Sequence, residues 1–250
     1  MTFLLVTLLF AQYADVYVPH KPLDVESGAL VGTGSFQLDV MYRSGIGNSE
    51  FSSPVMSCFA TSPDGYNEFG IGLPWLRVAG DSANHVFIGN MGLHYKRRIL
   101  GSLRWGYLAA KLTARLPTSP DTLGVRDSLG GRSSHYSLAL AYTYELPLLG
   151  RYHTLFGRLP LVGTLVLEDR FLNWDHNTGS AEFGSSFGWG AALEVLPLDY
   201  AFIGVSITGG NDEVGFGPYL GLRWYWLDLG AAWRLSDGSD RFDFHLRLYL

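Results

Sequence analysis

The stretch Arg241-Phe242-Asp243-Phe244-His245-Leu246-Arg247-Leu248-Tyr249-Leu250 places a large apolar residue at every even position. Charge, imidazole or phenol stands at every odd one. A period of two is the mark of a β-strand with one apolar and one polar face. A strand at the end of the chain has an edge that no later segment can cover. It is expected to pair with the first strand and close the sheet into a barrel.

The same alternation recurs back through the chain. Tyr136, Leu138, Leu140, Tyr142, Tyr144 and Leu146 alternate with His135, Ser137, Ala139, Ala141, Thr143 and Glu145; Leu108, Ala110, Leu112, Ala114 and Leu116 alternate with Ala109, Lys111, Thr113 and Arg115. Leu227, Leu229, Ala231, Trp233 and Leu235 oppose Asp228 and Arg234, and the earliest such segment sets Phe36, Leu38, Val40 and Tyr42 against Gln37, Asp39, Met41 and Arg43. Read throughout, the pattern predicts an all-β chain of about twelve antiparallel strands, an even number. The turn Ser62-Pro63-Asp64-Gly65 is preset by its proline. Tight connections are expected at 62–65, 97–103, 147–151, 197–199 and 225–226, and long loops at 117–132 and 170–182. A seventh strand is expected to carry Leu155, Leu159, Leu161, Leu165 and Leu167 against Arg158, Thr164 and Glu168.

Composition narrows the class. Charged residues are 16% of the chain, against roughly 25% in soluble domains, while 31 glycines and 14% aromatics fit many turns and rings. A formal net charge of -5 leaves no basic excess for nucleic acid. The single cysteine, Cys58, excludes an intrachain disulfide and reads as a small packing residue. Residues 1–14, with the run Phe3-Leu4-Leu5-Val6-Thr7-Leu8-Leu9-Phe10, read as a signal peptide; 15–29 read as an irregular lead-in or lumen plug, and 30–250 as one barrel. No stretch approaches the roughly 20 apolar residues of a membrane helix, so a membrane-spanning reading requires a β-barrel.

A soluble barrel also alternates, with its apolar face inward. Segments of ten residues or longer match the roughly 9–11 that cross a bilayer at a tilt. The polar face carries charges of both signs, which suits a wet or salt-bridged interior. The reading is therefore a transmembrane antiparallel up-and-down β-barrel with lipid outside.

Several short stretches carry a resemblance: Thr33-Gly34-Ser35-Phe36-Gln37-Leu38, Phe69-Gly70-Ile71-Gly72-Leu73-Pro74, Tyr95-Lys96 with Leu100, Leu116-Pro117-Thr118, and Leu227-Asp228-Leu229-Gly230 with Leu235-Ser236-Asp237 through to Leu248. On these the chain resembles outer-membrane barrels grouped as transporters of the phenol meta-pathway type, distant relatives of fatty-acid and aromatic-hydrocarbon channels. The resemblance implies a bacterial outer-membrane location after export. It further implies lipid and the barrel-assembly machinery as partners, and passage of small molecules, aromatic or apolar ones included.

The residues expected to line the lumen are Lys111, Arg115, Glu145, Arg158, Glu168, Arg223 and Arg234. They could line a path or pair across the lumen and fill it, which would suit a closed barrel with a structural or adhesive role. The aromatics Tyr136, Tyr144, Trp189, Trp224 and Trp226 read as interfacial belts. A hydrolase is the least favoured reading: His135 and Ser137, two apart on one strand, stand near 7 Å apart, and Asp243, His245 and Asp228 form no known motif. Asn211, Asp212 and Glu213 read as a solvated loop, and Gly32-Thr33-Gly34 lacks the helix and lysine of a phosphate loop. No cofactor, metal or catalytic residue is expected.

Overall fold

The computed structural model describes residues 30, 36–46, 51–79, 84–88, 90–102, 105–118, 133–146, 153–154, 157–158, 161–175, 179–198, 201–210, 213–224, 227–236 and 240–249. The signal and lead-in segments lie outside them, as do Asn211, Asp212 and Trp226. The strands are β1 (Phe36–Ile46), β2 (Phe51–Thr61), β3 (Asn67–Ala79), β4 in two pieces (Asn84–Ile88 and Met91–Ser102), β5 (Gly106–Leu116), β6 (Ser133–Leu146), β7 (Leu161–Asp175), β8 (Ser180–Leu198), β9 (Ala201–Gly210), β10 (Glu213–Trp224), β11 (Leu227–Ser236) and β12 (Asp240–Tyr249). Both pieces of β4 pair with β3, so the sheet counts as 12 up-and-down antiparallel strands.

Closure occurs where the sequence places it. β12 pairs antiparallel with β1, Leu248 opposite Leu38 and Arg247 opposite Asp39, while β1 pairs on its other edge with β2. No edge remains along this seam, and residues 241–248 of β12 have a partner on both sides, on β1 and on β11.

The outer wall follows from the alternation. Ile203, Val205, Ile207, Leu220, Leu222, Leu229, Trp233 and Phe244 are all exposed, whereas their immediate strand neighbours Phe202, Ser206, Tyr219, Asp228, Ala232 and Asp243 are buried. An apolar band of this kind is stable only against lipid. Cys58 is half-buried, opposite Leu38 and Ile71. Val205 sits halfway along β9, near mid-band, so Val205→Arg should cost about 2–4 kcal/mol, against about 0–1 for Leu235→Arg near the band edge. Urea unfolding of both variants in liposomes measures the difference. Equal costs would refute the lipid-facing assignment.

The end of the barrel that holds the start of β1 and the end of β12 carries the Ser62–Tyr66 turn. The Gly65 N–H donates to the Ser62 carbonyl at 2.8 Å, and Asp64 accepts from the Ser62 hydroxyl and from the Tyr66 N–H. These bonds hold the Asp64 carboxyl below its usual range. Their contribution is present at neutral pH and lost as pH falls through that depressed value. We call this the turn end, and the other, with the 117–132 connection, the loop end.

Two connections differ from expectation. No loop spans 170–182: β7 continues to Asp175 and β8 begins at Ser180. The register skips between Arg170 and Leu172 against both neighbours, and a bulge of this kind flips the alternation that marks a strand in sequence. The connection expected at 147–151 lies outside the described residues; between β6 and β7 a separate short ladder pairs His153–Thr154 with Gly157–Arg158. The expected turn at 97–103 shortens, since β4 runs on to Ser102.

Strand length sets the shape above the membrane. β8 has 19 residues, which at ~3.3 Å each and a tilt of ~40° rises about 48 Å, against an apolar band of ~25 Å. The β7–β8 hairpin therefore projects at the loop end, with the Ser185 hydroxyl donating to Asp169 at 2.7 Å.

The lumen as candidate functional site

Inward positions divide by height. Val162 and Phe202 each stand second in their strands, β7 and β9, near the turn end, while Tyr219, seventh of twelve in β10, and Ala232, sixth of ten in β11, stand mid-strand. They form one buried apolar cluster. The Phe202 and Tyr219 ring centroids stand 6.4 Å apart at 56°. Each ring lies on a glycine directly across the strand pair: a Cβ at Gly204 would come within 2.2 Å of the Tyr219 ring, and one at Gly221 within 2.2 Å of Phe202. Only glycine leaves the depth for a ring to lie flat on the inner wall.

Charged groups surround this cluster. Glu194 and Asp228 are each 1% exposed. Arg223 donates from Nε to Asp228 Oδ1 at 3.1 Å, and Arg247 stands opposite Asp228 in register. Asp228, committed to guanidinium groups, is a poor candidate to serve His245. Nearby, Thr143 and Thr164 share a hydrogen bond of 3.0 Å, and the Ser206 hydroxyl donates to the Gly217 carbonyl at 3.1 Å. Burial makes this part of the lumen a packed interior.

A rung across five strands shows how the middle is balanced: Glu68 faces Lys96, Lys96 faces Lys111, Lys111 faces Ala139, and Ala139 faces Glu168. Two carboxylates thus bracket two lysines. Glu68 and Lys96 are fully buried, Lys111 is half-buried and Glu168 is exposed. His94 lies over Gly70 and its ring meets Phe59 at 4.7 Å.

Toward the loop end some inward charged side chains reach solvent, while the inward His135 and Ser137 on β6 stay buried. Arg115 and Arg170 are exposed and Arg234 is half-buried. Arg115 interacts electrostatically with Arg170 and Glu168. The exposed inward charges among the described residues thus gather toward the loop end, Arg115 and Arg170 among them.

The structure places Lys111, Arg115, Glu168, Arg223 and Arg234 on the inward face of barrel strands. Arg158 is in the separate short ladder, not on a barrel strand. Glu145 pairs with Val162 through its backbone, and its side chain lies outside the described part. The alternation already sets Glu68, Lys96 and Glu194 on the polar face although they were not among the residues chosen for the lumen; sequence reasoning missed Arg170 as a lumen charge and Phe202 as an inward ring. The signal for Phe202 was present, since Gly221 and Gly204 fall at positions where the alternation asks for an inward side chain. Among the described residues no group of His, Cys, Asp and Glu could hold a metal ion.

No family model and no curated protein matches the chain. Among solved structures it is similar to an outer membrane channel from Pseudomonas putida F1, at 15% identity, covering 92% of this chain and 100% of that one, with a TM-score of 0.61. A second similarity is to the translocator domain of the autotransporter NalP from Neisseria meningitidis, at 12% identity, covering 87% and 88%, with a TM-score of 0.46. Together with the closed seam and the apolar outer wall, the first match establishes the fold. The chain is a transmembrane, antiparallel, up-and-down β-barrel of the kind found in outer-membrane channels.

Proposed function

We propose that the protein resides in the bacterial outer membrane, exported through residues 1–14, and acts as a channel or passive transporter for small molecules, aromatic or apolar ones included. The observation that carries this reading is the contrast between an apolar outer wall and a lumen whose loop-end half presents exposed charged side chains, Arg115, Glu168 and Arg170 among them. Water and solute can enter there, whereas a barrel built only as a membrane staple has no need of a wet half. Lumen contacts are assigned to Lys111, Arg115, Glu168, Arg223 and Arg234, with Glu145 near the turn end. The loop end faces the cell exterior, as long connections do in such barrels.

The packed turn end favours a second reading, a closed barrel with a structural or adhesive role. Single-channel conductance of the refolded protein in a planar bilayer separates the two. Current steps from the intact chain are expected. Steps only after deletion of 13–29 would make the lead-in a plug, and silence from both would support the closed barrel.

A further inference from the structure

The outer wall beside the Ser62–Tyr66 turn changes character from rung to rung. Successive outward rungs of the β3–β4 pair are Ile71 with Leu93, Phe69 with Tyr95, and Asn67 with Arg97, the last nearest the turn end. They stand about 7 Å apart, two strand residues each. Ile71, Leu93 and Phe69 are exposed. The Phe69 and Tyr95 rings meet at 5.2 Å, and aromatics on the outer wall of a barrel mark the level of the membrane–water interface. One rung beyond them Arg97 is exposed, while its neighbour Lys96 points into the lumen and is buried.

Asn67 organises this rim. Its Oδ1 accepts from the Tyr95 hydroxyl at 2.7 Å and from Arg97 Nη1 at 3.3 Å, and its Nδ2 donates to Asp64 Oδ2 at 3.4 Å. Arg97 and Asp64 therefore sit at opposite ends of one amide rather than in an ion pair with each other. The remaining donors of the Arg97 fork are left for an anion. Asp64 stands exposed in the turn, and its bonds to the Ser62 hydroxyl and the Tyr66 N–H keep it ionised. Arg98 belongs to neither end, since its guanidinium lies over the Tyr66 ring at 4.8 Å.

From the apolar band toward water the wall thus runs apolar, aromatic, cation, anion. A zwitterionic phospholipid runs in the same order, from acyl chain through glycerol ester and phosphate to ammonium. An arginine fork matches phosphate oxygens, and a carboxylate matches an ammonium. We propose that Arg97, Asn67 and Asp64 hold the head group of a phosphoethanolamine lipid at the turn end, with phosphate on Arg97, ammonium on Asp64 and an acyl chain along Phe69, Leu93 and Ile71. A phosphatidylglycerol supplies the phosphate but brings no cation to Asp64, so the site prefers the ethanolamine head. This site rests on the lipid-facing wall and not on conduction, so it stands or falls apart from the channel.

The test uses the full chain refolded into vesicles of equal parts phosphatidylethanolamine and phosphatidylglycerol with identical acyl chains. After extraction in mild detergent, native mass spectrometry counts the lipid that stays bound. Wild type should retain phosphatidylethanolamine over phosphatidylglycerol by a factor of about two to five, the span of an exposed charge contact. Asp64→Asn keeps an oxygen for the turn but loses the charge, and should bring the ratio to one with lipid still bound. Arg97→Gln should lower retention of both lipids by a similar factor. Heat-modifiability on gels shows that each variant is folded. An even ratio in wild type overturns the site whatever the variants do, and so does a preference that both variants keep.

Discussion

Phe202→Ala combined with Tyr219→Ala is expected to raise single-channel conductance several-fold over the intact chain. In the native lumen these rings, with Val162 and Ala232, make one buried apolar cluster. An apolar constriction resists ions because it offers nothing to replace their water, and it can gate by dewetting alone. Truncating both rings removes that barrier and leaves Glu194, Asp228 and Arg247 lining a wider, polar throat. Burial of rings in a dry core would make the change cost about 3–5 kcal/mol per residue. Here water fills the space, so the cost should be smaller and the barrel should still fold. Gly204→Ala provides a gentler control. A Cβ there would sit 2.2 Å from the Tyr219 ring, so the ring must swing into the lumen or away from it. Conductance should change while side-chain volume hardly does. If the double variant conducts as the wild type does, the barrier lies elsewhere and the assignment of these rings falls.

The period of two made most of the architecture legible, because lipid demands an apolar residue at nearly every outward position and tolerates few exceptions. Closure was legible for the same reason: Arg241 to Leu250 reads as a strand with both faces committed, and β1 supplies its partner. What escaped were the places where the period breaks although the strand does not. The bulge at Phe171 shifted the alternation and made Arg170 to Glu182 resemble a loop, hiding Arg170 as a lumen residue. The leucine alternation before Leu161 misled in another way, because it carried Arg158 into the barrel strand, whereas Arg158 pairs with His153 in a separate short ladder. Arg158 was placed on the lumen wall for that reason. Pairings within the lumen were out of reach from sequence, since which inward charges meet depends on register. Glu68 and Lys96, 28 positions apart, become direct neighbours only once β3 and β4 are aligned.

That pair carries the largest expected effect on stability. Lys96 is 0% exposed and Glu68 is 1% exposed. Lys96→Met keeps the volume of the side chain but removes the ammonium opposite Glu68, and a buried carboxylate that loses its partner costs about 3–5 kcal/mol. Lys111 stands on the far side of Lys96 and is already bracketed by Glu168, so it can offset only part of this loss. Glu68→Gln should be milder, since a neutral amide can still accept from the ammonium, although two lysines then adjoin on one rung. The double variant Glu68→Gln/Lys96→Met should recover most of the stability lost by Lys96→Met, because no charge is left stranded. Urea unfolding in liposomes, arranged as a double-mutant cycle, measures the coupling directly. A coupling near zero would mean that water reaches the rung and screens it. The middle of the lumen would then be wet, and the assignment of this rung to a buried ion pair would have to be abandoned.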